Sequence, residues 1–313
     1  MSKLEIGQTV ADRYLLTRKL GKGGMGEVFL ATDTSSGQEV ALKTLHAQFM
    51  NNNYALARFV REVNTAYQLH HPGIVKIYDA CQWQNIMFYT MEYVEGKSLR
   101  HWMNQRGKLK LDSVVRILCL VADALSHAHH LTIHRDLSPE NIMVLKDGTI
   151  RILDFGLAKI QDKFKDLTMA GVNLGKLAYM APEQQKDAAR VDHRADIYPL
   201  GVMFFEMLTG QRPRPGQRIT EFCPELPPEA DAFLARAMAA DPEKRFPSAQ
   251  AFRAELLALY HRCAKHNGSA AVQNRPESSR VFAILHWRRI ADSRFMKWLR
   301  YSRLKQMFRS RRP

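Results

Sequence analysis

His134-Arg135-Asp136-Leu137-Ser138-Pro139-Glu140-Asn141, with Asp154-Phe155-Gly156 thirteen residues beyond its last member, is the stretch on which the reading of this chain turns. An H-R-D-x-x-x-x-N run followed by D-F-G at such a separation is the pattern of a phosphoryl-transfer site. Asp136 is expected to orient an attacking hydroxyl and accept its proton. Asn141 and Asp154 are expected to hold the magnesium ions that bridge the phosphates of ATP. An isolated Asp or Asn is usually a turn or surface residue, but two ordered motifs at the right distance need another explanation.

Upstream, Gly21-Lys22-Gly23-Gly24-Met25-Gly26 lies between the apolar runs Tyr14-Leu15-Leu16 and Val28-Phe29-Leu30. Glycine lets backbone N–H groups approach phosphates closely, although a glycine cluster alone is more often a hairpin turn. No G-K-[ST] closes it at a helix entry, so it is not a Walker A loop. A strand follows where a dinucleotide-binding fold would need a helix. Lys43, in the strand-like run Val40-Ala41-Leu42-Lys43, matches V-A-I-K and is expected to reach the α- and β-phosphates. Residues 54–69 have helical apolar spacing at Leu56, Phe59, Val60, Val63 and Tyr67. Glu62 is the one carboxylate there and the expected ion-pair partner of Lys43.

Taken together, these motifs resemble the protein-kinase family, and most closely its bacterial, eukaryotic-like Ser/Thr members. Leu20 to Val28, His71-Pro72-Gly73-Ile74-Val75 and Met91-Glu92-Tyr93-Val94-Glu95-Gly96 carry the resemblance further, over roughly residues 10–262. It implies an α+β, two-lobed kinase fold: a β-rich small lobe over about 10–93 and a mainly helical large lobe over about 97–262, with ATP between them. The implied nucleotide contacts are Leu20, Gly21, Gly23, Gly24, Gly26, Val28, Ala41 and Lys43, with Met91 as gatekeeper and Glu92 to Val94 as the hinge. Ala181-Pro182-Glu183 would close an activation segment that opens at Asp154. Glu183 would pair with Arg245, and Asp196 would brace the catalytic loop. The implied reaction carries the γ-phosphoryl of Mg·ATP to Ser or Thr hydroxyls of a protein substrate, with autophosphorylation. Thr168 is the only Ser or Thr between Asp154 and Glu183, and Arg135 is available to pair with a phosphate there.

Three positions depart from the family's pattern. Ser138 stands where Ser/Thr kinases carry a lysine that contacts the γ-phosphate. Lys176 stands in Gly175-Lys176-Leu177-Ala178-Tyr179, where the pattern G-T-x-x-Y has threonine. Pro199 replaces a usual serine. A lysine has the reach to place its ammonium near the same phosphate oxygens from the other side, so Lys176 is a candidate catalytic cation. The rival reading is a pseudokinase acting as a nucleotide-binding scaffold; intact Lys43, Glu62, Asp136, Asn141 and Asp154 favour the enzyme. A kinase of small molecules is a further alternative, against which the A-P-E segment argues.

Apolar content of 46% and charged content of 25% are ordinary globular values. The four cysteines lack C-x-x-C spacing and read as reduced thiols. His127 and His130 have one-turn spacing, but the end of a core helix explains them better than metal binding does. No signal-peptide pattern opens the chain and no apolar run of about 18 residues occurs, so a cytoplasmic protein is expected. The net charge of +15 is uneven. Residues 271–313 hold twelve Lys/Arg against Glu277 and Asp292, a net of +10. A linker is expected over 263–279. After it, Ile284, Trp287, Ala291, Phe295, Trp298, Tyr301, Leu304 and Phe308 form one stripe of a basic amphipathic helix over 280–313. Three roles suit such a helix. It would pack on the large lobe or a partner protein, lie peripherally on an anionic membrane surface, or, less favoured, bind nucleic acid.

Overall fold

A computed structural model describes residues 4–22, 26–45, 53–155, 174–186 and 191–271. Its first sheet has six antiparallel strands in the order β1-β2-β3-β4-β6-β5. These are β1 (Thr9–Val10), β2 (Tyr14–Lys22), β3 (Glu27–Asp33), β4 (Glu39–Thr44), β5 (Ile77–Trp83) and β6 (Ile86–Glu92). Period-two alternation gives the sheet two faces. Val40 and Leu42 of β4 join Val10, Tyr14, Leu16, Phe29 and Phe88 in a core on one face. Ala41 turns to the other face, where it joins Tyr89, Met91 and the helix α1 (Asn53–Tyr67). The alternation therefore leaves Lys43 on the α1 side, paired across the ladder with Tyr89.

A second sheet fixes the separation between residues 134–141 and the segment that begins at Asp154. It comprises β7 (Gly96–Ser98), β8 (Ile142–Leu145) and β9 (Ile150–Ile152), in the order β7-β8-β9. β8 starts just after Asn141 and β9 ends two residues before Asp154, with Ile142 opposite Ile152. The Leu153 N–H donates to the Asn141 carbonyl at 2.8 Å. The thirteen-residue separation of the two motifs is thus the length of a hairpin whose ends must meet.

Helices build the rest: α2 (Leu99–Arg106), α3 (Leu111–Ala128), the short α4 (Leu174–Leu177) and α5 (Pro182–Lys186), α6 (Ile197–Thr209), α7 (Glu229–Ala237) and α8 (Ala249–Ala271). Nearly every residue of α6 is buried, as its all-round apolar sequence requires of a central helix. Phe204 of α6 packs edge-on to Phe233, which also meets Phe246 and Phe252. Gly210, at φ +75°, ends α6 in the left-handed conformation that glycine adopts without steric cost. Pro199 falls in the first turn of α6, where a missing N–H costs far less than in a helix interior. α8 continues to Ala271, into the stretch where a linker is expected; residues 272–313 lie outside the described residues. No described helix is long and apolar enough to cross a membrane.

Candidate active site

A cavity of about 1330 Å³ opens beside the first sheet and reaches the catalytic loop. Leu20, Gly21, Val28, Ala41, Lys43, Met91, Glu92, Val94, Asp136, Asn141, Asp154 and Lys176 all line it. Gly23 and Gly24 lie outside the described residues. Gly26 has a structural requirement of its own: a Cβ there would come within 1.6 Å of the Thr44 carbonyl oxygen.

The loop from His134 to Asn141 hangs on Asp196, a carboxylate with 1% of its surface exposed. Its Oδ1 accepts the Arg135 N–H at 2.8 Å, and Oδ2 accepts the His134 N–H at 2.8 Å and His129 Nε2 at 2.9 Å. Burial would push this carboxyl up; His129 and the backbone donors outweigh it and hold Asp196 below the ordinary carboxylate range. These bonds secure Arg135 at φ +65°, a conformation costly for a residue with a Cβ. Gln184 adds a bond to the Arg135 carbonyl at 2.8 Å. The Asp136 N–H donates to His134 Nδ1 at 3.3 Å, so the ring proton is on Nε2, which donates to Leu153 O at 2.9 Å. The same ring stands edge-on to Phe155, 4.7 Å between centroids.

Two lysines converge on the two carboxylates. Lys43 Nζ donates to Asp154 Oδ1 at 2.6 Å, and the Tyr89 hydroxyl donates to the same oxygen at 3.1 Å. Lys176 Nζ donates to Asp136 Oδ2 at 2.7 Å, an oxygen that also accepts Asn141 Nδ2 at 3.0 Å. Burial would raise the Asp154 carboxyl, but Lys43, the Tyr89 hydroxyl and the charge of Lys176 together lower it. Burial first, and then the charge of Asp154, push Tyr89 well up, so its hydroxyl keeps its proton and is the donor. Glu62 lies on α1, but its side chain is outside the described residues, as is Thr168.

This donor set suits magnesium. Asn141 spends its amide N–H on the Asp136 carbonyl and carboxylate, which leaves its own carbonyl oxygen as a hard ligand. Asp154 adds a carboxylate whose side chain is 26% exposed, and Oδ2 accepts no hydrogen bond from the described residues. One carboxylate and one carbonyl, with waters and phosphate oxygens, is how this ion is usually held.

The protein kinase domain family matches residues 14–269. The chain belongs to the protein kinase family. It is 36% identical over 280 residues to the serine/threonine-protein kinase pkn3 of Myxococcus xanthus, covering 81% of this chain and 51% of that protein. The serine/threonine-protein kinase PrkC of Bacillus subtilis is 31% identical over 296 residues, covering 90% and 45% respectively. The chain therefore spans about half the length of these relatives. The kinase domain of Mycobacterium tuberculosis PknI superposes with a TM-score of 0.68 at 30% identity, covering 82% of this chain and 100% of that domain.

Within this kinase fold, the pairing of Glu183 with Arg245 forms as a two-pronged ion pair, both contacts at 2.6 Å. Ser138 is 1% exposed, beside the carboxylate of Glu140. Among the described residues no three of His, Cys, Asp and Glu converge as ligands of one metal ion, and the His127 ring lies 5.3 Å from that of His71. The sequence reading missed a second polar centre. Arg100 of α2 donates to Glu140 and to Glu206, each at 2.8 Å, and also to Tyr179, whose hydroxyl donates to Glu206. It ties the catalytic loop, the A-P-E segment and α6 together. Tyr89 was missed as well, because it sits in an apolar strand and reads as packing.

Asp196→Ala should lower unfolding free energy by about 3 kcal/mol or more, since it strips buried donors of their acceptor. Asp196→Asn isolates the charge. The folded carboxyl titrates below the unfolded value of about 3.9, so its contribution is full above that pH and is lost as pH falls through the folded value. Urea unfolding across pH 2–5 should therefore give a shallower loss of stability with acid in Asp196→Asn than in wild type; equal slopes would remove the role given to its charge.

Proposed function

We propose that this chain is a protein serine/threonine kinase, transferring the γ-phosphoryl of Mg·ATP to Ser or Thr hydroxyls of proteins, its own among them. The observation that carries the reading is the convergence of Asp136, Asn141, Asp154 and Lys43 on one cavity. Asn141 and Asp154 would hold magnesium, which when bound neutralises charge on the β- and γ-phosphates. Lys43 would turn its ammonium to the α- and β-phosphates, and Glu92 to Val94 would hold adenine through their backbone. Asp136 orients the substrate hydroxyl. As the new O–P bond forms and the bond to the ADP oxygen breaks, the hydroxyl proton passes to the Asp136 carboxylate. Lys43→Ala and Asp154→Ala should each reduce autophosphorylation to background in a radiolabelled ATP assay; undiminished labelling in either would refute its role.

Lys176 is proposed as the cation that Ser138 does not supply. Its ammonium already sits on Asp136, at 2.7 Å, and its charge is felt at Asp154, so it lies on the side of the cleft where the phosphoryl group passes. An electrostatic contact to charge developing there is worth roughly 3–4 kcal/mol. Because Ser138 is buried, a lysine at 138 fits only where another side chain gives way, and the test therefore couples both positions. Lys176→Thr should cut kcat about 100-fold or more, and Lys176→Thr with Ser138→Lys should regain much of it. A harmless Lys176→Thr would show that Lys176 is not the cation.

Phosphorylation of Thr168, paired with Arg135, is the proposed control of the activation segment. The net +10 of residues 271–313 supports a localising role for the C-terminal segment, on a partner protein or peripherally at the anionic inner face of the membrane, in a cytoplasmic enzyme.

A further inference from the structure

Tyr89 is 2% exposed, on the strand that follows β5, directly across the ladder from Lys43. Cross-strand partners project to the same face, and here both end on one atom, Asp154 Oδ1, the ammonium at 2.6 Å and the hydroxyl at 3.1 Å. The two donors differ in what else they must do. Lys43 is expected to leave for the phosphates when nucleotide enters. The tyrosine cannot follow, because its ring is wedged against Phe59 of α1, 5.9 Å between centroids, and beside Met91 and Phe155. The small pocket that it borders beside Met91, Asp154 and Phe155 has about 10 Å³ of free space, at the lower limit for one water. Asp154 itself stands at φ +58°, a sparsely populated conformation that needs fixing by its surroundings.

We propose that Tyr89 is a positioning residue for Asp154. Its hydroxyl holds one carboxylate oxygen from the sheet, which would leave the other oxygen to magnesium once Lys43 engaged the phosphates. This rests on reading Asp154 as a magnesium ligand. A tyrosine that merely filled the core would need only its ring.

The experiment is a binding titration of the full chain with a fluorescent ADP analogue, in EDTA and across a range of magnesium chloride. Wild type should bind more tightly as magnesium rises. Tyr89→Phe keeps the ring and should match wild type in EDTA within about twofold, while the magnesium concentration for half-maximal tightening rises about tenfold, the scale of one hydrogen bond to a charged group. Tyr89→Met, which also lacks the hydroxyl, should behave alike, so either variant that folds gives the answer. An unchanged magnesium midpoint overturns the proposal, as does an equal loss of affinity with and without magnesium, which would mark general damage to the cleft. If wild type itself shows no tightening by magnesium, the reading of Asp154 as a metal ligand fails first.

Discussion

Asp196 enters α6 with almost none of its surface in water and takes the backbone N–H groups of His134 and Arg135 on its two oxygens. A buried carboxylate is costly unless its lone pairs are used, and here they are used to hold a loop in a shape it would otherwise leave. Arg135 sits in the left-handed region, at a cost on the order of 1–3 kcal/mol. Because that residue is pinned, Asp136 is delivered to the cleft at a fixed angle, and the His134 ring is delivered to the carbonyl of Leu153. The same ring packs on Phe155, so the anchor at the head of α6 also reaches the D-F-G segment. Arg100 repeats the strategy nearby, joining Glu140, Tyr179 and Glu206 by charge-assisted bonds.

The cleft that results is electrostatically balanced by residues from separate parts of the chain. Lys43 from the first sheet meets Asp154, and Lys176 from the segment before A-P-E meets Asp136. Each ammonium neutralises a carboxylate, and neither is fully buried, so an anion entering the cleft would compete with that carboxylate for it. Tyr89 is a donor without charge in this group, which is why it is suited to hold a carboxylate while the charges around it rearrange.

Much of this was legible in the sequence because the chemistry restricts residue type at fixed distances. Asn141 and Asp154 are tied by a hairpin whose length sets their spacing, Asp136 is bonded to Asn141 within one loop, and Lys43 is placed by strand alternation. Glu183 and Arg245 are legible because each lies in its own motif. Other features had no local signal. Arg100 reads as a surface residue of a short helix until Glu140 and Glu206 are brought to it. Tyr89 reads as core, and only its register opposite Lys43 gives its hydroxyl a purpose. Pro199 is costly in a helix interior and cheap in a first turn, and which applies is set by where α6 begins. The bonding of Asp154 to Lys43 is likewise a fact of three dimensions, since 111 residues separate them.

We propose that Asp136 takes the proton of a Ser or Thr hydroxyl as the phosphoryl group is transferred. Purified wild type and Asp136→Asn, given radiolabelled Mg·ATP and a Ser/Thr-rich protein acceptor, test it most directly. Wild type should place label on serine or threonine, and Asp136→Asn, which keeps the shape but not the basicity, should be slower by about 100-fold or more. No labelled serine or threonine from wild type, or equal rates from the two proteins, would contradict the account.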